Sequence, residues 1–126
     1  MTTDGVGIYI HIPFYRSKCK YCDFKSFSNI DGEIRKKYID TLCREIREYR
    51  GRALKGATVF FGGGTPSLLE AAEMEKIVDA IQDSFDLSIC EEFTIEANPK
   101  TICEEKLRAF SSLGVNRISV GLQSIH

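Results

Sequence analysis

The chain has 126 residues, 43% hydrophobic and 28% charged, which suits one globular domain and excludes a disordered composition. Its 17 basic and 18 acidic residues leave a net charge of -1, so electrostatics give no case for nucleic acid or an anionic membrane. No apolar run reaches the length of a bilayer span, so no transmembrane segment is expected.

The opening MTTDGVGIYIHIPF lacks a basic n-region and a small-residue cleavage site, so no signal peptide and a cytoplasmic location are expected. Residues 7–12 (GIYIHI) alternate and are rich in β-branched and aromatic types, the pattern of a strand, which Pro13 ends. Residues 14–30 read as a loop, long enough to suggest function. From Asp31 a helix is expected. Ile34, Tyr38, Ile39, Leu42, Cys43, Ile46 and Tyr49 share its apolar face, and Gly51 stops it.

Residues 57–61 (ATVFF) form a continuous apolar run, the pattern of a strand buried on both faces, and three glycines follow. Ser67 with Glu70 has capping-box spacing ahead of a second helix carrying Leu68, Leu69, Met74, Ile77, Val78 and Ile81. Residues 92–97 (EFTIEA) read as a third strand, broken by Asn98-Pro99. Thr101 with Glu104 repeats the capping pattern. The third helix buries Ile102, Leu107 and Phe110 and stops at Gly114. Residues 116–122 (NRISVGL) make a fourth strand.

The fold class is therefore α/β, in the order β-α-β-α-β-α-β with parallel strands and right-handed crossovers. A sheet ending at the fourth strand leaves an edge uncovered. Residues 1–126 are accordingly expected to form the N-terminal part of a larger (β/α) barrel. Each strand is followed by a polar or glycine-rich segment, and in parallel sheets such segments gather at the carboxyl ends of the strands, where ligands bind.

Four features carry candidate chemistry. Cys19 and Cys22, spaced CxxC in a polar loop, suit zinc, an iron–sulfur cluster or redox chemistry, or are two small buried hydrophobes. His11 could add a ligand, but in a strand it reads as a hydrogen-bonded core histidine. Gly62-Gly63-Gly64-Thr65-Pro66 lets backbone N–H groups approach a carboxylate or phosphate; a flexible turn is the alternative, but turns rarely need three consecutive glycines. Glu96 and Gln123 end the third and fourth strands. Each could bond a ribose hydroxyl or an amino group, or be a solvated rim residue. Cys43, Cys90 and Cys103 complete the five cysteines and read as packing or surface residues.

YIHIPF, CKYCDF, FFGGGTPSLL, TIEANP and GVNRISVGLQS, in this order and over nearly the whole chain, resemble the radical S-adenosylmethionine (SAM) superfamily. More narrowly they resemble the oxygen-independent coproporphyrinogen III oxidase-like family, in its heme chaperone branch. That branch lacks the N-terminal extension of the oxidases and their additional cysteine after the last cluster ligand. The resemblance implies a partial radical SAM barrel, a [4Fe–4S] cluster, SAM, and heme held for a heme-accepting protein, with an electron donor as a further partner. It places the metal ligands at Cys19 and Cys22, and the SAM contacts at Tyr9, Tyr21, Gly63, Gly64, Thr65, Glu96 and Gln123.

The family's CxxxCxxC motif would put its first cysteine at position 15, where this chain has Tyr15. A phenol is a harder donor than a thiolate and suits an iron–sulfur cluster poorly. The cluster is therefore expected to be absent, labile or held by only two protein ligands, and catalysis by this chain is not expected. Two rival functions are oxidative decarboxylation of coproporphyrinogen III, which would need the oxidases' additional cysteine, and a degenerate SAM-binding module without a cluster.

Overall fold

A computed structural model describes residues 5–14 and 24–120, with backbone alone at 24–31. Four strands, β1 (Val6–Ile12), β2 (Gly56–Gly63), β3 (Glu92–Ala97) and β4 (Arg117–Val120), alternate with three helices, α1 (Phe24–Arg47), α2 (Ala71–Ser84) and α3 (Glu104–Ser112). The sheet runs β1-β2-β3-β4, and each neighbouring pair is parallel.

Sequential strand order fixes where the helices go. Right-handed crossovers that always step the same way around the sheet put every helix on one face, as in a barrel. An order that reverses would put helices on both. The burial pattern follows the first case. Ile8, Ile10 and Ile12 of β1, Val59 and Phe61 of β2, and Phe93 and Ile95 of β3 are buried. They meet Ile39, Cys43 and Ile46 of α1, Met74, Ile77, Val78 and Ile81 of α2, and Phe110 of α3. Each fully buried side chain of this size contributes about 1.5–3 kcal/mol.

The opposite face is more open among the described residues, although Thr94 of β3 is buried there. Tyr9 and His11 of β1 and Thr58 of β2 are exposed, and Phe60 is half-buried. The run at 57–61 is therefore buried on one face, not two. Its second face lines the concave side of the sheet, which no helix among the described residues covers.

Other boundaries differ locally from the sequence pattern. Helix α1 begins at Phe24 rather than Asp31, and Gly32 lies inside it. An exposed helical glycine costs only about 1 kcal/mol, which a helix of 24 residues outweighs. Within α1, Ile39, Cys43 and Ile46 are buried, whereas Ile34 is exposed, as is Tyr49 just beyond the helix end. Leu107 of α3 is exposed as well.

Neither expected capping box forms. The N-cap of α2 is Glu70, whose N–H donates to Glu73 Oε1 at 2.7 Å. The N-cap of α3 is Cys103. Ser67 and Thr101 sit instead in short 3-10 turns, Pro66–Leu68 and Pro99–Thr101, where their hydroxyls bond to each other.

Candidate functional site

The carboxyl end of the sheet is assembled by backbone first. Gly64 N–H donates to Ile12 O at 2.8 Å and Thr65 N–H to Phe14 O at 2.6 Å, extending the β1–β2 ladder beyond both strands. This approach explains the glycine. A Cβ on Gly64 would lie 2.4 Å from Phe14 O and 3.1 Å from Phe14 N. Gly63 has φ +115°, in the left-handed region that favours glycine. The segment is therefore an ordered arm locked against the end of β1, and the flexible-turn reading is set aside.

Helix α1 braces the same corner. Arg35 reaches across to α2, its Nε donating to Glu73 Oε2 at 2.9 Å and its Nη2 to Glu73 Oε1 at 2.7 Å. Its Nη2 also donates to Leu68 O at 2.6 Å. The guanidinium lies over the Phe14 ring, 4.7 Å from its centroid. Tyr38 donates its hydroxyl to His11 O and packs edge-on against Phe14. Burial raises the Glu73 pKa, but the bonds from Arg35 and the Glu70 N–H outweigh it and leave that carboxyl below its ordinary value. Burial, with the charges of Glu45 and Tyr9, pushes the Tyr38 phenol up, so it stays a donor.

The concave face supplies the side chains. Tyr9 is 57% exposed and stacks on Phe60 at 5.8 Å between ring centroids. His11 pairs with Gly62 in register and lies beside Gly63, where a Cβ would fall 2.9 Å from its ring. Glu96 accepts from Gly63 N–H through Oε1 at 3.2 Å. Glu96 is half-buried and pairs in register with Ser119. Tyr9, His11, the glycine arm and Glu96 thus share one rim.

Of the residues proposed from sequence, Tyr9, Gly63, Gly64, Thr65 and Glu96 are brought together there. Tyr15, Cys19, Tyr21, Cys22 and Gln123 lie outside the described residues. The core reading of His11 is corrected, because its side chain is exposed on the rim. The alternation of residues 7–12 carried that signal, since His11 has the same parity as Tyr9. Cys43 is buried, Cys90 half-buried and Cys103 exposed.

Among the described residues no group of three or more His, Cys, Asp or Glu is placed to hold a metal ion. No helix among them is long and apolar enough to cross a membrane. A groove of about 600 Å³ lies between the edge of β1 and the end of α1 and shares only Tyr9 with the rim residues. Its walls, including Ile8, Leu42, Ile46, Leu54 and Phe85, are largely apolar, and it collects none of the polar backbone groups that converge on the rim.

A half-barrel of parallel strands with a glycine arm and a carboxylate at its carboxyl rim defines a class, and comparison with known families agrees with it. Residues 9–126 match the family described as the Radical SAM superfamily, and the chain belongs to it. It is 39% identical over 118 residues to the heme chaperone HemW of Lactococcus lactis, covering 94% of this chain and 30% of that protein. It is 38% identical over 124 residues to HemW of Escherichia coli, covering 94% and 32%. The fold matches the solved coproporphyrinogen III oxidase HemN of E. coli, described as a radical SAM enzyme. That match has a TM-score of 0.74 at 26% identity and covers 97% of this chain and 29% of HemN. The chain thus spans about a third of the length of these relatives.

Proposed function

We propose that residues 1–126 supply the N-terminal, SAM-binding part of a radical SAM barrel of heme chaperone type, in a protein that holds heme for transfer to a target. The observation that carries the SAM reading is the Gly63 N–H, which already donates to a carboxylate oxygen, that of Glu96, at the carboxyl rim. An amide N–H that donates to one carboxylate has the chemistry to donate to that of an amino acid. Gly64 keeps the arm free of a Cβ where the backbone of β1 comes closest. These residues fit SAM, whose sulfonium chemistry depends on a cluster when one is bound.

In this reading the Gly63–Thr65 arm holds the amino-acid end of SAM. Glu96, released from Gly63 by the ligand, accepts from ribose hydroxyls. Tyr9, with Tyr21 and Gln123, lines the remainder. The exposed stacked pair of Tyr9 and Phe60 offers an apolar wall that sheds water when the ligand arrives. Similarity to the two HemW proteins, at 39% and 38% identity, supports the heme role over the decarboxylase. The solved oxidase is matched at 26%.

The cluster does not fit as well. The expected ligand positions hold Tyr15, Cys19 and Cys22, a phenol and two thiols where the resemblance has three thiolates. That donor set favours a chain that binds SAM without radical chemistry. Calorimetric titration of S-adenosylhomocysteine into the chain tests the reading. Saturable binding, weakened about tenfold or more by Glu96→Ala through loss of a charged acceptor, is expected. Absence of saturable binding to the starting chain would remove the SAM reading. A parallel hemin titration followed in the Soret band addresses the heme role.

A further inference from the structure

Behind the rim lies a polar cluster that no ligand contact accounts for. Ser67 follows the glycine arm and is fully buried, at 0% exposure. Asn98 follows Glu96 on the neighbouring strand. Asn98 N–H donates to Ser67 Oγ at 3.1 Å, and the Thr101 hydroxyl donates to Asn98 O at 2.8 Å. Ser67 Oγ and Thr101 Oγ1 are also bonded to each other. A hydroxyl has one proton to give. Thr101 spends its proton on Asn98 O, so Ser67 is the donor to Thr101. Ser67 Oγ is left as the acceptor for Asn98 N–H.

The bonds therefore close a ring: Ser67 to Thr101, Thr101 to the Asn98 carbonyl, and the Asn98 amide back to Ser67. Every polar atom in it is satisfied with a consistent direction, the condition under which such rings rigidify their surroundings. Lys106 of α3 adds a fourth hold, its Nζ donating to Ser67 O at 2.6 Å.

We infer that this ring is a positioning clamp that sets the spacing between the Gly63–Thr65 arm and Glu96, with Ser67, Thr101 and Lys106 as positioning residues for the ligand shared by the two arms. Without ligand, the spacing the clamp sets is read by the Gly63 N–H to Glu96 Oε1 bond, at 3.2 Å. Only a short side chain that both donates and accepts closes the ring inside the buried space at position 67. Alanine would leave the Asn98 amide without its partner. The identity of the ligand rests on the SAM reading, whereas the clamp itself does not.

The amide proton shift of Gly63 reads the clamp without any ligand. Its change on Glu96→Ala reports the Gly63–Glu96 bond in the starting chain. The same change measured in Ser67→Ala and in Thr101→Val is expected to fall to less than half. In Ile77→Val, a core substitution that touches no bond of the ring, it is expected to be retained. An undiminished change in the first two variants overturns the clamp. So does an equal fall in Ile77→Val, because general loosening would then explain it. If Ser67→Ala does not fold, Thr101→Val and Lys106→Met decide by the same reading. S-adenosylhomocysteine affinity should drop about tenfold in Ser67→Ala, the size of one lost buried bond. If the starting chain does not bind that ligand, the SAM reading fails and the Gly63 shifts still judge the clamp.

Discussion

Replacing Gly64 by alanine should be far more damaging than its small volume suggests, and the structure gives the size of the effect. The new Cβ would sit 2.4 Å from Phe14 O and 3.1 Å from Phe14 C and N. All three are backbone atoms, so no side chain can swing aside. The arm must retreat from β1, straining two hydrogen bonds, Gly64 N to Ile12 O at 2.8 Å and Thr65 N to Phe14 O at 2.6 Å. Overpacking of this kind costs about 1–3 kcal/mol, and each lost bond about 1 kcal/mol. The expected loss is therefore about 3–5 kcal/mol if both bonds are lost.

Two other glycines calibrate the experiment. Gly51 has φ +91° with nothing within 4 Å, so Gly51→Ala carries backbone strain alone, about 1–2 kcal/mol. Gly32 lies in a helix with open space around it. Gly32→Ala should stabilise by about 0.4–1 kcal/mol. Urea unfolding midpoints of the three variants provide the test. A Gly64→Ala protein as stable as the starting chain, or less perturbed than Gly51→Ala, would refute the account of the corner.

Gly62→Ala should be milder than Gly64→Ala in stability, because its Cβ meets Tyr9 Oη and Phe60 Cε1, each at 2.8 Å, and both belong to side chains. Displacement of Tyr9 would register in tyrosine fluorescence. Arg35→Lys should cost about 1–2 kcal/mol in urea unfolding, because lysine cannot reproduce the forked contact with Glu73. The Glu73 carboxyl lies below its ordinary value of 4.5 when folded, so its stabilisation is complete above that pH. It fades as pH falls through the lowered value. Acid melts of Arg35→Lys should accordingly show a smaller pH dependence than those of the starting chain, and an identical dependence would contradict the Arg35–Glu73 assignment. Tyr15→Cys, reconstituted anaerobically with iron and sulfide, should gain iron, sulfide and brown absorbance. Equal contents in both proteins would remove the explanation offered for position 15.

The order of elements was legible because each strand and helix has its own period and the glycine and proline stops fall between them. The rim was legible for the same reason, since Gly63, Gly64, Thr65 and Glu96 all lie at or just beyond the carboxyl ends of strands. Single-face burial at residues 57–61 was not, because an apolar run records side-chain type and not which face a helix will cover. Thr58 and Phe60 belong to the same run as Val59 and Phe61, and only the strand order separates them. The capping boxes failed for a tertiary reason. Ser67 and Thr101 match the local pattern, yet they find each other across two loops. The core reading of His11 followed a general tendency of strand histidines over the alternation around it.

The most direct test of the central claim, that SAM is held between the glycine arm and Glu96, is an amide-shift titration of the chain with S-adenosylmethionine. The amides of Gly63, Gly64, Thr65 and Glu96 should move together and saturate at one affinity, while those of Gly32 and Gly51 stay fixed. Unmoved rim amides, or shifts confined to Ile8, Leu42 and Ile46 in the groove beside β1, would contradict it.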